Sequence, residues 1–235
     1  MRAVVKICGA TTVADVRMLG DSGADLVGLW HGVPGGRADL SLHEVSALTE
    51  ATRTTKRLRP VLVTFMSDAE ALLDAVVRTG VRWLQLHAYQ PPAVVRALKQ
   101  ERSVFLTVVK VLHVRAGGCA EEPLIKSYER AGTDVFLLDT TTEEGQIGST
   151  GQPLPSAAVI GVANQISRPF LLAGGISADN RRRYHDVVEH PWFSGVDVDT
   201  AARDPLGRFT AERVTAISQS WHDERQPVLD PAALP

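Results

Sequence analysis

Val4-Val5-Lys6-Ile7-Cys8-Gly9-Ala10-Thr11-Thr12-Val13-Ala14-Asp15 runs from strand-forming residues straight into a helix start. Residues 3–8 read as a strand, and Thr11 or Thr12 is the N-cap of an amphipathic segment that Gly23 ends. The unit then repeats. Strands are predicted at 24–30, 60–66, 81–86, 103–112, 133–139, 169–173 and 195–198. Helices are predicted after Ser41-Leu42-His43-Glu44, which has capping-box spacing, and after Ser67-Asp68-Ala69-Glu70. Others follow at 91–99, 121–130, 155–165, 177–188 and 208–218. Eight alternations whose strands are near-continuous Val, Ile and Leu indicate parallel strands buried on both faces. A doubly wound sheet would more naturally carry Gly-x-Gly-x-x-Gly in its first turn, and Cys8-Gly9-Ala10-Thr11 does not supply it. The expected fold is a single-domain α/β protein, a closed (β/α)8 (TIM) barrel over residues 1–218. Residues 219–235, with Pro227, Pro231 and Pro235, are expected to be a poorly ordered extension.

The totals fit that frame. A chain of 235 residues can close one large core, and 44% hydrophobic with 22% charged residues is ordinary for a globular protein. A formal net charge of -2 gives no general reason to seek nucleic acid or an anionic membrane. No apolar run is long enough to span a bilayer, and no signal-peptide pattern precedes Val4. Two cysteines, Cys8 and Cys119, are too few for a disulfide framework. A cytoplasmic protein with reduced thiols is expected, without nucleic-acid or membrane partners.

In a barrel of this kind all βα loops share one face, so the strand ends form a ring. Around it stand Cys8, Arg37, Gln85, His87, Lys110, His113, Asp139, the segment Gly148-Ser149-Thr150-Gly151, Gly174-Gly175, and Asp197 to Thr200. A thiol and a carboxyl at two strand ends suit a base and an acid that move a proton across a small molecule. Glycine-containing segments in the last three loops would let backbone N–H groups approach an anion. Such barrels commonly hold phosphate at the loops after strands seven and eight. No metal site is expected, because His87, His113 and Asp139 do not have recognisable ligand spacing. No cofactor is expected either.

The chain resembles the phosphoribosylanthranilate isomerase family, the barrel enzymes of tryptophan biosynthesis. The resemblance rests on Val5-Lys6-Ile7-Cys8-Gly9, Gly23-Ala24-Asp25 with Val27-Gly28, Arg37, Gln85-Leu86-His87 and Leu137-Leu138-Asp139. Gly148-Ser149-Thr150-Gly151, Leu172-Ala173-Gly174-Gly175-Ile176 with Asn180, and Gly195-Val196-Asp197-Val198 continue it, in the family's order. It implies an Amadori rearrangement, in which an aminoaldose phosphate becomes a 1-amino-1-deoxyketose. By the same resemblance Asp139 is the general acid at the ring oxygen, Cys8 the base at C2, and Arg37 the partner of the anthranilate carboxylate. Gln85, His87, Gly148, Ser149, Gly151, Gly174, Gly175, Asp197, Asp199 and Thr200 complete the expected substrate site. A monomer or homodimer acting on a small aminosugar phosphate follows.

Two departures stand out. Val33-Pro34-Gly35-Gly36-Arg37 replaces the family's usual Ser-Pro-Arg ending, and Trp30-His31-Gly32 replaces smaller or aliphatic residues. After strand eight the family's Asp-Val-Ser-Ser-Gly-Val-Glu is Asp197-Val198-Asp199-Thr200-Ala201-Ala202-Arg203. A carboxylate at Asp199 and a Cβ at Ala201 disfavour a phosphate at that helix start, unless Arg203 folds back over it. These changes keep two further possibilities open: the same chemistry on a different aminosugar, or a non-catalytic ligand-binding barrel.

Overall fold

The computed structural model describes residues 3–115, 118–140 and 155–222. Eight strands form the wall: β1 (Val4–Cys8), β2 (Leu26–Trp30), β3 (Arg59–Thr64), β4 (Trp83–Leu86), β5 (Thr107–Arg115), β6 (Val135–Thr140), β7 (Phe170–Leu172) and β8 (Phe193–Val198). Each pairs in parallel with its sequence neighbours. The ring closes because β1 pairs with β8, Lys6 lying opposite Asp197, as well as with β2. The helices are α1 (Val13–Asp21), α2 (Leu42–Thr52), α3 (Ala69–Thr79), α4 (Pro92–Gln100), α5 (Ile125–Ala131), α6 (Ser156–Ala163), α7 (His185–Val188) and α8 (Ala211–Trp221). The (β/α)8 barrel expected from the alternation is therefore the observed fold.

Strand residues alternate between two cores, as a period of two requires. Val4, Leu26, Val61, Trp83, Val111, Val135, Leu137 and Leu171 fill the barrel interior. Val5, Ile7, Val27, Leu29, Leu62, Leu84, Leu138 and Val196 face the helices, meeting Leu19, Val45, Leu72, Val95, Val159 and Val214. The helix starts follow their side chains. Thr12 with Asp15, and Ser41 with Glu44, each form a reciprocal capping box. Asp68 Oδ1 accepts from Ala71 N at 2.8 Å to cap α3.

Three expectations shift. In place of one helix over 177–188 there is a bend, a 3-10 turn at Arg181–Tyr184 and the four-residue α7. Asn180 causes the delay: its Oδ1 accepts from Ser177 N at 3.0 Å and its Nδ2 donates to Gly175 O at 2.7 Å, so the side chain takes backbone groups a helix would use. Strand five begins at Thr107 and extends to Arg115, where it pairs antiparallel with a two-residue strand, Gly118–Cys119. The last helix runs to Trp221, three residues beyond the boundary expected at 218, because the Trp221 side chain is fully buried. The rest of the expected extension, 223–235, lies outside the described residues.

Candidate active site

The C-terminal ends of the strands open into a cavity of about 630 Å³. Of the expected site residues, Cys8, Arg37, His87, Asp139, Gly174, Gly175, Asp197, Asp199 and Thr200 line it. Gln85 does not; it lies beneath His87 as a fully buried support. Gly148, Ser149 and Gly151 fall outside the described residues. Lys110 and His113, placed on the ring by their strand position, also stand off the cavity wall. Lys110 Nζ donates to Ala88 O and Val111 O, both at 2.7 Å, and His113 Nδ1 is 2.5 Å from Glu121 Oε1.

Cys8 ends β1 with its side chain inward, on the same face as Lys6 two residues before it. Two groups donate to its sulfur: Lys6 Nζ at 3.3 Å and Trp30 Nε1 at 3.1 Å. The space is reserved by Gly28 on the neighbouring strand, where a Cβ would stand 2.5 Å from Cys8 Sγ and 3.2 Å from Lys6 Nζ. Lys6 Nζ also donates to Asp197 Oδ2 at 2.7 Å, across the seam between β1 and β8. Burial pulls Lys6 down, but Asp197 and Cys8 more than offset it, and Lys6 stays an ammonium. Burial pushes the Cys8 thiol up to about 12, against the opposing pull of Lys6; Asp197 and Asp199 add to the rise and the Trp30 N–H counters it.

Asp139 stands near the end of β6, three strands from β1 around the wall. Burial, then the nearby Asp197, raises its carboxyl to about 7, while the Thr140 N–H on Oδ1 (2.8 Å) works the other way. Its Oδ2 is 3.5 Å from His87 Nε2. His87 is held well below its ordinary value, first by burial and then by His113, Lys6 and Lys110, so it is neutral. Gln85 Nε2 lies 2.9 Å from His87 Nδ1. With that amide donating, the imidazole proton sits on Nε2, which lies near Asp139 without a hydrogen bond to it. Phe65 stacks on the His87 ring, centroids 5.6 Å apart.

The third corner joins the loops after β2 and β8. Arg37 Nη2 donates to Asp199 Oδ2, and Arg203 Nε donates to Asp199 Oδ1 at 2.7 Å. Arg203 does fold back, and the trio carries one net positive charge rather than a lone carboxylate. Beside it, Gly174 and Gly175 both have positive φ, +88° and +63°. A Cβ on Gly174 would stand 1.8 Å from Thr140 Oγ1, so only glycine brings this loop so near β6.

Sequence reasoning gave no role to Lys6. Its signal was present: alternation that turns Cys8 inward turns Lys6 inward too. In the sequence Trp30 stands out only as a departure and Arg203 as a residue able to fold back over Asp199. That Trp30 meets Cys8 and Arg203 the backbone of β1 is not visible there, since a contact across 22 or 195 residues leaves no local trace. Among the described residues, no group of three or more His, Cys, Asp or Glu is placed to hold a metal ion. No helix among them is long and apolar enough to cross a membrane.

A closed parallel barrel with an acid and a thiol opening on one mouth defines a class of (β/α)8 enzyme scaffolds. Comparison narrows it. The model of the family described as N-(5'phosphoribosyl)anthranilate (PRA) isomerase matches residues 5–204. N-(5'-phosphoribosyl)anthranilate isomerase 2 of Methanosarcina mazei is 31% identical over 206 residues, covering 86% of this chain and 87% of its own. The phosphoribosyl anthranilate isomerase of Thermus thermophilus superposes with a TM-score of 0.74 at 23% identity, over 92% of this chain and 97% of that one. A further isomerase structure, in complex with reduced 1-(o-carboxyphenylamino)-1-deoxyribulose 5-phosphate, superposes at 0.70 and 22% identity, over 93% and 97% of the two chains. The chain belongs to the PRA isomerase family.

Proposed function

We propose that this protein is an aldose–ketose isomerase of tryptophan biosynthesis, converting N-(5'-phosphoribosyl)anthranilate to 1-(o-carboxyphenylamino)-1-deoxyribulose 5-phosphate. The observation that carries the reading is the pairing, in one cavity, of Cys8 with a carboxyl at Asp139 that holds its proton near neutral pH. Asp139 donates that proton to the furanose ring oxygen. The C1–O bond breaks, and the amine lone pair forms a cationic Schiff base. Cys8, as thiolate, then takes the proton from C2. The C–H electrons become the C1–C2 double bond, the iminium electrons return to nitrogen, and the enolamine ketonises to product.

At neutral pH the thiolate is the minority form of Cys8. The cation on the substrate favours it during turnover, and the Lys6 ammonium and Trp30 N–H are its donors. His87, fixed by Gln85, keeps Nε2 3.5 Å from Asp139 Oδ2, near enough to close into a hydrogen bond on the carboxylate that remains after donation. Arg37 faces the substrate carboxylate, with Asp199 as a competitor. Gly174, Gly175 and Thr200 border the phosphate, and Gly148, Ser149 and Gly151 belong to the same proposed site. Monomeric or homodimeric action in the cytoplasm completes the reading.

The test is freshly prepared N-(5'-phosphoribosyl)anthranilate with purified protein, following loss of substrate fluorescence. Rescue of a tryptophan auxotroph lacking the isomerase is the cellular counterpart. A folded protein that neither consumes the substrate nor rescues growth overturns the reading.

A further inference from the structure

The guanidinium of Arg37 already has a carboxylate. Asp199 holds it, and Asp199 is itself anchored: Arg203 Nε fixes its other oxygen. Arg203 cannot easily let go, because Nη1 donates to Gly207 O at 2.9 Å and Nη2 to Gly9 O at 2.8 Å and Cys8 O at 3.3 Å. Its guanidinium carbon also lies 3.6 Å from the Phe209 ring centroid. The Asp199 side chain is 11% exposed and that of Arg37 is 49% exposed, so the anion is the inner, rigid partner of the pair. A ligand carboxylate that reaches Arg37 must therefore share it with a fixed anion.

We propose that Asp199 is a specificity residue, a built-in carboxylate that cancels most of the advantage a carboxylated N-substituent would gain from Arg37. The substrate class then widens to aminopentose phosphates whose amine bears an uncharged aryl group. Taken alone, two carboxylates about 5 Å apart repel by on the order of a hundredfold in binding at an effective dielectric of 20, and Arg203, on the far oxygen of Asp199, returns part of that. That offsets what an unshared fork of N–H donors would give a carboxylate. The wall next to Arg37 is indifferent to charge on the aryl ring: Trp30, Val33 and Pro34 line the cavity there, with Arg37 6.0 Å from the Trp30 ring centroid.

For turnover the proposal rests on the isomerase reading; for binding it does not. The experiment compares two secondary-amine product analogues by calorimetry: reduced 1-(o-carboxyphenylamino)-1-deoxyribulose 5-phosphate and its phenylamino counterpart lacking the carboxylate. The native protein should bind the two within about tenfold. Asp199→Asn, which keeps an oxygen for Arg203, should tighten the carboxylated analogue by about ten- to a hundredfold and leave the other within about threefold. Asp199→Ser provides the same comparison should the amide misplace Arg203. A native preference of a hundredfold or more for the carboxylated analogue overturns the proposal, and so do Asp199 variants that move both analogues equally. Parallel assays on the N-phosphoribosyl derivatives of anthranilate and aniline separate the two claims. No turnover of either, with the expected binding ratio, sinks the isomerase reading and leaves Asp199 its role. Turnover of the anthranilate derivative alone, with a hundredfold binding preference, does the reverse.

Discussion

Asp139 shows at residue scale how a site gains reactivity by giving up stability. Its carboxyl is raised from 3.8 to about 7, so between those values the native state holds a proton that the unfolded chain releases. Its contribution to stability is thus full below about 4 and declines as pH rises toward 7, by up to about 4 kcal/mol in all. Asp139→Asn should gain stability relative to the native protein at pH 8 and show little difference near pH 4, as read from urea unfolding at the two pH values. The same variant, and Cys8→Ala, should each lose about two to four orders of magnitude in turnover while weakening substrate binding far less. An active Cys8→Ala variant would mean that another group removes the C2 proton. Both residues were legible in the sequence as ionisable side chains ending apolar runs. Their environment was not: the indole of Trp30 on the thiol and the support of Gln85 beneath His87 depend on how neighbouring strands register.

At the scale of elements, β2 is shaped by what β1 carries. Gly28 is an interior strand position where glycine is ordinarily a weakness, yet a methyl there would meet Cys8 Sγ at 2.5 Å. Gly28→Ala should displace the thiol from Lys6 and lower turnover by at least about tenfold. Overpacking should also destabilise the fold by about 1–3 kcal/mol, which thermal unfolding measures. Native activity in a well-folded Gly28→Ala variant would show that the thiol can move without consequence. Element starts were the part best read from sequence, because Thr12 with Asp15, and Ser41 with Glu44, act over three residues. The helix expected at 177–188 was misjudged since Asn180 reaches back to Gly175, a choice made by the loop geometry rather than by propensity.

For the whole molecule, the end of α8 is a fastener. Trp221 is buried and its Nε1 donates to Ser177 O at 2.8 Å, Ser220 Oγ donates to Ala178 O at 2.6 Å, and His222 Nε2 lies 2.9 Å from Asp25 Oδ2. The last helix therefore ties the loop after β7 to the strand-and-helix layer around β2. Trp221→Ala should destabilise the barrel by about 3–5 kcal/mol, seen as a lower urea midpoint with an unchanged slope. A loss under about 1 kcal/mol would mean that the helix end is dispensable. The sequence showed the barrel through its repeating pattern but placed the end of the fold at 218, because one tryptophan in a polar segment carries no periodicity.

The Lys6–Asp197 bond joins the first strand of the barrel to the last, and 191 residues of chain must be in place before it can form. The surroundings of the Cys8 thiol are therefore finished only when the ring is finished. An unclosed chain carries a cysteine of ordinary acidity, about 8.5, whereas the closed barrel raises it to about 12 and buries it. Alkylation of Cys8 by a maleimide should accordingly be slow in the folded protein and rise steeply through the unfolding transition. Measured during refolding, the loss of that reactivity would time the moment at which the two ends of the barrel meet.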